Sequence, residues 1–358
     1  MATRVRPGDL LVGRLMRKAV DAPAIPAEKR GAAALLKAWL PALVILILLL
    51  VLPNFVPSYI QSLVTKMMIF ALFGVSMNIL WGYGGIPTFG HAAFFGFGGY
   101  VCGILIMHGG ITNFWLNLLL VMVFTALLGA GLGVPAFRVY GVGASDNPIY
   151  FLLVTLAFGE LLVRVAISAR SLTGGSTGMS GIPYPDLGIP GVSINSASYY
   201  FLVLGVVAVC LLVIYRIVNS HYGYALRGIH DNERRMQALG FNTWLYKYTS
   251  YILAGMFGGV AGCLFAYFGG VMVPGNMGMA MTDIVFLIVI LGSASVYFGP
   301  VIGAVVVVGV EYLASVYVPE RWPLIMAVLI VVVIMVIPQG IGVLLLNLWR
   351  KVFHGSAA

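Results

Sequence analysis

Runs of roughly 20 apolar residues recur along this chain, and a run of that length crosses the ~30 Å hydrocarbon core of a bilayer as one α-helix. The composition agrees, since 61% of the 358 residues are hydrophobic and only 9% are charged. A soluble domain carries charge on about a quarter of its residues. Segments of about ten residues with alternating polarity, the pattern of a membrane β-barrel, do not occur. The sequence therefore predicts an all-α protein, a polytopic transmembrane helix bundle.

The apolar runs predict about ten helices that span the membrane. The predicted spans are 38–56, 58–81, 86–107, 113–137, 148–169, 198–218, 246–272, 282–297, 298–318 and 322–346. Lys and Arg gather in the segments 1–37, 219–245 and 350–358, which the positive-inside rule places in the cytoplasm. Even numbers of spans separate these segments, so both termini are predicted to be cytoplasmic. We expect a transmembrane domain over 38–349 in a bacterial-type inner membrane, with lipid around it.

The basic N-terminal tail, residues 1–37, has two open interpretations. Its segment 9–20 mixes leucines with arginines and a lysine, which favours an amphipathic helix on the membrane surface. A disordered tail is the alternative. No small-residue cleavage site closes the first apolar run, so a cleavable signal peptide is not expected. Because the net charge of +9 lies mainly in the predicted cytoplasmic segments, it indicates orientation in the membrane and not nucleic-acid binding.

Motifs for catalysis, metal binding and nucleotide binding are absent from the sequence. The phosphate-cradling pattern G-x-x-x-x-G-K-[ST] does not occur, nor do common zinc or serine-hydrolase patterns. Cys102, Cys210 and Cys263 all fall within apolar runs and are predicted to be core residues. The sequence thus predicts a protein that is not an enzyme, with no catalytic residue, metal or cofactor of its own. If ATP drives transport, a partner must hydrolyse it.

The longest polar stretch between spans is the segment 219–245. Good helix formers over 224–239, followed by Gly240 at the place of a C-terminal cap, predict one short helix. Leu226, Ile229 and Leu239 would form its apolar stripe. Its polar residues Arg227, Asp231, Glu233 and Arg234 would be available for contacts. Such a helix suits contact with a cytoplasmic motor, and a solvated loop that merely follows the positive-inside rule is the alternative.

A second candidate is the helix break in residues 81–100. Gly82, Gly84, Gly85 and Pro87 interrupt a helix, and Pro87 suits the first turn of the next one. Thr88 and His91 then lie near a helix N-terminus, where unpaired N–H groups favour an anion such as a substrate carboxylate. An ordinary connecting turn, with His91 hydrogen-bonded to a neighbouring helix, is the alternative.

Five ionisable residues fall within predicted spans: Lys66, Glu160, Arg164, Asp283 and Glu311. Glu160 and Arg164 are four residues apart and can form an ion pair on one helix face. Asp283 and Glu311 lie near predicted external ends, where a side chain reaches the interface. Glu160 is nearest mid-span, and either a structural ion pair or a solute contact would account for it.

Glycine supplies two further predictions. Small-residue pairs four apart, such as Gly255/Gly259, Gly258/Gly262 and Gly299/Gly303, are typical of close helix packing in lipid. The loop 168–197 is rich in Gly and Pro and should resist a regular helix. It is the longest predicted external connection.

With these segments in place, the chain resembles the permeases of branched-chain amino acid ABC transporters of the LivM type. The resemblance runs from about Lys66 to Leu346. The stretches that carry it are NILWGYGGIPTFGHAAFFGFGGY (78–100), TLAFGE (155–160), LTGGSTGMSGIP (172–183), GYALRGIHDNERRMQALG (223–240), GPVIGA (299–304) and PQG (338–340). The family's Gly-Gly-x-Gly-Ser before Gly-Pro is here Leu291-Gly292-Ser293-Ala294-Ser295, and His230 stands where the family commonly has Arg.

The resemblance implies an assembly that imports branched-chain or hydrophobic amino acids. Its other members would be a homologous LivH-type permease, two cytoplasmic subunits that bind ATP, and a periplasmic solute-binding protein. The implied residues fall into three sets: for ATPase coupling, Gly223, Arg227, Asp231, Glu233, Arg234, Leu239 and Gly240; for the substrate path, Thr88, His91 and Glu160; for docking of the binding protein, Thr173, Gly174, Gly175 and Gly178. Replacing Glu233 or Arg227 is expected to uncouple ATP hydrolysis from uptake and to leave folding intact.

Two other functions remain open at this stage. A permease of the same type for urea, amides or aromatic acids would share these features. An ion-coupled secondary transporter would use Glu160 as its proton site and need no ATPase. A passive channel gains no support from the long basic segment.

Overall fold

The structure is a computed structural model, and it describes residues 44–141, 148–188 and 194–317, with positions 328 and 335 and the stretch 340–344. The predicted tails 1–37 and 350–358, the surface helix 9–20 and most of the predicted span 322–346 lie outside the described residues. By its contacts the chain divides into two units, Met1–Phe55 and Val56–Ala358. In the first unit the described part is the apolar helix α1, Val44–Asn54.

The described part of the second unit is almost entirely helical. The first half contains α2 (Ser58–Tyr83), α3 (His91–Met107), α4 (Phe114–Gly141) and α5 (Pro148–Ser168). The second half contains α6 (Ser196–Val218), α7 (His221–Asp231), α8 (Glu233–Ala238), α9 (Thr243–Gly269), α10 (Met279–Gly292) and α11 (Gly299–Tyr317). The all-α prediction is confirmed.

Six of the described helices are long and apolar enough to cross a membrane: α2, α4, α5, α6, α9 and α11. The helices α1, α3 and α10 are apolar but shorter. Nine of the ten predicted spans therefore correspond to a described helix. The number of crossings and the side of each terminus stay predictions.

Close helix packing through small residues is confirmed at the centre of the second unit. Helix α9 packs against α3, α4 and α2. A Cβ at Gly259 would run into Thr125 of α4, and one at Gly262 would run into the Phe95 backbone of α3. Gly255 lies against the ring of Phe94. Helix backbones that approach this closely gain dispersion contacts that lipid does not offer.

The first helix break differs from its prediction in detail. The last five residues of α2, Ile79–Tyr83, form a π-helical turn, and α3 begins at His91, five residues after the predicted start at 86. Pro87 therefore lies in the connection and not in the first turn of α3, as we had expected. Glycines on both sides of Pro87, of which Gly85 has φ +69°, favour this longer connection.

One ionisable pair crosses the helix bundle. The Lys66 Nζ of α2 lies 2.9 Å from the Glu311 Oε1 of α11. We had expected Glu311 to reach the interface near an external end. That expectation stays a prediction; the structure adds that Glu311 lies opposite Lys66, and an ion pair offsets the cost of placing either charge in lipid.

The Gly-rich loop 168–197 is anchored to the end of α9. It contains one helical turn, Arg170–Thr173, a 3₁₀ turn, Gly175–Thr177, and the strand β1, Met179–Ser180. Strand β1 pairs antiparallel with β2, Val271–Met272, so that Met179 lies opposite Met272. The prediction that this loop resists a regular helix is confirmed over its described residues.

Candidate functional site

The polar segment 219–245 contains two helices, where we had predicted one helix over 224–239. Helix α7 ends at Asp231 and α8 begins at Glu233, with Asn232 between them in an extended conformation. The Asn232 side chain accepts a hydrogen bond from the Arg235 backbone N–H at 2.9 Å. Asn is among the strongest N-cap residues because its side chain satisfies a free N–H of the first turn, and this cap divides the segment.

The predicted cap at Gly240 is confirmed. Gly240 has φ +87°, a left-handed conformation that glycine adopts without a Cβ clash. Its N–H donates to the Gln237 carbonyl at 2.9 Å, and the Phe241 N–H donates to the Met236 carbonyl at 3.1 Å. These two bonds form a Schellman motif, which ends α8 and turns the chain toward α9.

Helix α7 has one buried face. Leu226 and Ile229 are 1% and 2% exposed, and Gly223 packs against the backbone of Val218. Leu239, which we had placed on the same apolar stripe, is 67% exposed. Helix α8 has no buried residue. The apolar stripe therefore ends with α7. Arg234 in α8 and Leu239, the residue after α8, are both exposed.

Arg227 connects α7 to the end of α2. Its guanidinium carbon lies 4.9 Å from the centre of the Tyr83 ring, and its Nη2 donates to the Val218 carbonyl at 3.2 Å. A guanidinium over an aromatic face is attracted by the ring quadrupole. We had predicted Arg227 as a residue that contacts a partner, and the structure shows that its head group is engaged within the chain.

Glu233 connects α8 to α9. Its Oε2 lies 2.5 Å from Nζ of Lys247, and the exposed fractions of the two side chains are 23% and 5%. A nearly buried ammonium group needs such a partner, because desolvation of an unpaired charge is costly. Glu233 is thus also engaged within the chain, whereas we had predicted a contact with a partner.

Tyr222 adds a third connection, between α7 and α9. Its hydroxyl donates to the Tyr246 carbonyl at 3.0 Å, and the two rings stack with their centres 5.4 Å apart. Burial raises the pKa of the Tyr222 phenol, so it stays protonated as a donor.

Beside α7 and α8 lies a cleft of about 290 Å³ that reaches the helix break after α2. Its walls are Gly84, Gly85, Ile86, Ile229, His230, Asp231, Asn232, Glu233, Arg234 and Lys247. A Cβ on Gly85 would lie 2.8 Å from Cδ2 of His230, so the imidazole rests directly on this glycine. The polar segment 219–245 and the helix break after α2 are therefore in direct contact. Asp231 and Arg234 of this segment are exposed.

The structure encloses Thr88 and His91, both 0% exposed. The Nε2 of His91 lies 2.9 Å from the Ser76 hydroxyl oxygen, and its ring stacks on Phe73 at 5.3 Å. The Thr88 hydroxyl accepts from the Gly90 N–H at 3.2 Å. These contacts fit the alternative of a connecting turn with His91 bonded to a neighbouring helix. Contact of either residue with a solute stays a prediction.

Glu160 and Arg164 are both exposed on α5, and no ion pair joins them in the described structure. Our expectation of a pair on this helix is therefore wrong. Four-residue spacing permits such a pair, but the rotamers must also converge. A charge at the centre of a membrane helix costs roughly 2.5–3.5 kcal/mol on insertion scales. The α5 face that carries Glu160 is thus poorly suited to lipid.

The predicted docking loop turns the hydroxyl of Thr173 inward. The Thr173 hydroxyl donates to the Ala166 and Ala169 carbonyls at 2.5 Å and 2.8 Å. Gly174, Gly175 and Gly178 have φ of +76°, +68° and +78°, and they set the shape of the turn. Thr173 and Gly175 are buried, whereas Gly174 is exposed together with neighbours such as Leu172, at 48%.

Sequence reasoning missed Tyr83 and Lys247 as partners of the polar segment. Each contact joins residues far apart in the chain, and no short-range spacing indicates it. For Lys247 one signal was available: it lies at the start of an apolar helix and follows a segment that contains an acidic residue, so the two could form an ion pair. Nothing comparable marks Tyr83.

Comparison with known proteins identifies similar membrane transport components. The family described as branched-chain amino acid transport system / permease component matches residues 59–337. The high-affinity branched-chain amino acid transport system permease protein LivM of Salmonella typhimurium is 28% identical over 269 residues, which cover 69% of this chain and 61% of that protein. LivM of Escherichia coli is 27% identical over 286 residues, which cover 74% and 65%.

Other similarities are more distant or shorter. A probable LivM of Methanocaldococcus jannaschii is 23% identical over 280 residues, covering 70% of this chain and 79% of that protein. The chain spans less than two thirds of the length of the two bacterial relatives. No solved structure matches the chain.

Proposed function

The chain belongs to the family of branched-chain amino acid transport system permease components, and from this premise we propose that it forms half of the translocation pathway of an ATP-driven importer. It is a multi-pass membrane protein, since six described helices can cross a bilayer and its relatives are transport permeases. We place it in a bacterial-type inner membrane. Its proposed cargo is branched-chain or other hydrophobic amino acids, as the names of its relatives say of them.

The proposed assembly has four kinds of member. A homologous LivH-type permease supplies the other half of the pathway, and a periplasmic binding protein delivers the solute to the loop 168–197. The assembly also has two cytoplasmic ATP-binding subunits, and the segment 219–245 of this chain docks into the ATPase. This chain binds no cofactor, and ATP is bound and hydrolysed on those partners.

The observation that carries this proposal is the contact between α7–α8 and the helix break after α2. Arg227 rests on Tyr83 and His230 rests on Gly85. Glu233 is paired with Lys247 at the start of α9. A force applied to the exposed face of α8 would therefore reach both α2 and α9. This is the arrangement that coupling to an external motor requires.

The coupling residues divide by role in this proposal. Asp231, Arg234, Leu239 and Gly240 are exposed and contact the ATPase. Gly223, Arg227 and Glu233 position the two helices from within the chain. Replacement of the second group is thus expected to affect folding as well as coupling.

The coupling proposal is tested by uptake into proteoliposomes that contain the purified assembly with its second permease, ATPase and binding protein. Uptake is expected to require ATP on the side of the segment 219–245 and to be lost when Gly240 is deleted. Deletion of Gly110 is the matched control, because both glycines have positive φ and a Cβ added to either would meet nothing within 4 Å. Equal loss of uptake from both deletions would contradict a special role for the segment.

The cargo is tested on the cognate binding protein, by thermal stabilisation against aliphatic amino acids, urea, amides and aromatic acids. Stabilisation by leucine, isoleucine or valine supports the proposed cargo. Stabilisation by urea or amides alone would assign the chain to a permease of the same type with another solute.

A second candidate function is ion-coupled secondary transport with Glu160 as the proton site. The exposed position of this carboxylate on α5 favours it. Uptake by the chain alone, driven by a proton gradient and abolished by Glu160→Gln, would establish this function and exclude the importer.

A further inference from the structure

A cavity of about 110 Å³ lies beneath the loop 168–197, at the opposite end of α2 from the cleft beside α7 and α8. In the proposed orientation this end of the bundle is external. Parts of α2, α6, α9 and the loop meet here, and the residues that line the cavity are Ser62, Thr65, Tyr184, Ser196, Tyr199 and Phe268. Five of these six side chains carry a hydroxyl group, and none of the six is charged. We call this space the hydroxyl cavity.

Three of the hydroxyl groups already donate their hydrogen to a backbone carbonyl. Ser62 and Thr65 each donate to the carbonyl four residues earlier in α2, at 3.2 Å and 2.7 Å. Tyr199 donates to the Leu264 carbonyl at 2.6 Å. A hydroxyl group has one hydrogen and two lone pairs. Toward the cavity, these three groups can therefore only accept a hydrogen bond.

The other two hydroxyl groups lie at the mouth of the hydroxyl cavity. Tyr184 is 49% exposed, and Ser196 is exposed at the start of α6. Neither hydroxyl bonds to another described residue, so both can donate to a ligand. The rings of Tyr184 and Tyr199 lie 6.0 Å apart, and with Phe268 they supply the apolar part of the wall. The cavity thus has acceptors inside and donors at its mouth.

We propose that the hydroxyl cavity binds the head group of an α-amino acid, with the hydroxyl oxygens of Ser62, Thr65 and Tyr199 accepting from its ammonium group. An ammonium group has three hydrogens and no lone pair, so it matches walls that can only accept. The carboxylate accepts from Ser196 and Tyr184. The inference rests on the proposed function and names the part of the cargo that this chain recognises.

The charges near the cavity favour a zwitterion. A buried charge needs a partner, and no charged side chain lines the hydroxyl cavity. Lys66 follows Thr65 in the chain, but it is paired with Glu311 across the bundle. A ligand must therefore balance its own charge, as an amino acid does with its carboxylate.

The volume limits which part of the ligand enters. A water molecule occupies about 30 Å³ in the liquid, so a space of about 110 Å³ admits a small head group and not a whole leucine molecule. The side chain of the ligand then extends past Tyr184 and Phe268 at the mouth. The cavity would accordingly recognise the head group and accept different hydrophobic side chains.

The test measures leucine binding to the full assembly without its binding protein. The assembly is held in nanodiscs of phosphatidylcholine and phosphatidylglycerol, whose head groups carry no primary ammonium group. Saturation-transfer difference NMR detects weak binding and gives the Kd by titration. Thr65→Val keeps the shape of the side chain and removes its acceptor. Thr125→Val is the matched control, because Thr125 is also buried and donates to the carbonyl four residues earlier at 2.7 Å, but lies outside the cavity.

A second pair of variants lies at exposed positions, where folding is little affected. Ser196→Ala changes the mouth of the cavity, and Ser198→Ala is its control, since both serines are exposed in the first turn of α6 and only Ser196 lines the cavity. The same titration is made with 4-methylpentanoate, which is leucine without its ammonium group.

Thr65→Val is expected to raise the Kd for leucine about tenfold, the effect of losing one hydrogen bond to a charged group. Ser196→Ala is expected to raise it several-fold, and both controls should leave it unchanged. Binding of 4-methylpentanoate should be too weak to detect. The proposal is overturned if the parent assembly does not bind leucine, if Thr65→Val and Thr125→Val have the same Kd, or if 4-methylpentanoate binds as tightly as leucine.

A lipid could supply the same ammonium chemistry, and phosphatidylethanolamine tests for it. Loss of leucine binding when this lipid is added would show that its head group occupies the cavity, which overturns the assignment to the cargo. Failure of the proposed function is recognised separately, by ATP-dependent uptake into proteoliposomes with the binding protein present. If the parent assembly shows no such uptake, the importer proposal fails. If uptake is ATP-dependent and Thr65→Val binds leucine as the parent does, the importer stands and the assignment of the cavity alone is wrong.

Discussion

At the residue scale, Gly85 combines a left-handed backbone conformation with a close contact to another part of the chain. A Cβ there meets the His230 ring at 2.8 Å, and φ is +69°. Gly85→Ala is expected to lower stability by about 1–2 kcal/mol from the left-handed backbone, plus a further loss from the clash. Gly110→Ala, with φ +64° and open space around it, should show only the backbone cost.

Thermal unfolding of the purified chain in detergent measures both variants. His230→Ala, combined with Gly85→Ala, is expected to recover the part of the loss that comes from the clash. If Gly85→Ala and Gly110→Ala destabilise equally, the imidazole does not rest on Gly85 as described.

Glu233 and Lys247 supply a second prediction at this scale. Glu233→Gln removes the carboxylate that lies against the nearly buried Lys247 ammonium, so it is expected to cost roughly 1–3 kcal/mol. Lys247→Met alone leaves the half-buried carboxylate without its cation and should cost less, since Glu233 keeps access to water. A double-mutant cycle on thermal stability measures the coupling. Additive single losses, with no coupling, would rule out the ion pair as a link between α8 and α9.

Side-chain pairing is where prediction from the sequence was weakest. The spacing of Glu160 and Arg164 suggested a pair that does not form, and Lys66 and Glu311 form one across 245 residues. Local spacing states only which side chains can meet along one helix. Which side chain it meets on another helix depends on how the helices pack, and short-range sequence patterns do not show that packing.

At the scale of elements, the division of the segment 219–245 into α7 and α8 depends on Asn232. Asn232→Ala removes an N-cap and is expected to cost about 0.5–2 kcal/mol, with faster amide exchange in α8. Asn195→Ala is the matched control, because Asn195 precedes α6 without a side-chain cap bond. Hydrogen exchange followed by mass spectrometry measures the effect. Unchanged exchange across Glu233–Ala238 would show that the cap does not hold α8.

Most elements could be predicted from the apolar runs, because a span is long and its composition is extreme. Helix ends were less predictable where glycine is dense. Helix α3 begins at His91 and not at 86, since its start depends on how the connection after the π-helical turn packs under His230. The Schellman cap at Gly240 was predictable because its signal is local.

At the scale of the whole molecule, the family and its membrane character were evident from the order of several short motifs together. The contacts that join the polar segment to the bundle were not. Arg227 and Glu233 looked like surface residues available to a partner, because a polar loop between spans gives no sign that its side chains fold back. Both side chains contact other parts of the chain, so we now expect their replacement to affect folding as well as coupling.

The Lys66–Glu311 pair connects α2 with α11 and so joins distant parts of the second unit. Lys66→Met leaves Glu311 unpaired among apolar helices, which should cost up to roughly 2.5–3.5 kcal/mol, less where water reaches the site. Lys66→Met combined with Glu311→Leu removes both charges and is expected to recover most of that loss, because no buried charge remains. The charge-swapped double variant, Lys66→Glu with Glu311→Lys, should recover part of it. Thermal stability in lipid nanodiscs measures all three variants. If Lys66→Met combined with Glu311→Leu is no more stable than Lys66→Met alone, the loss does not come from an unpaired Glu311 charge.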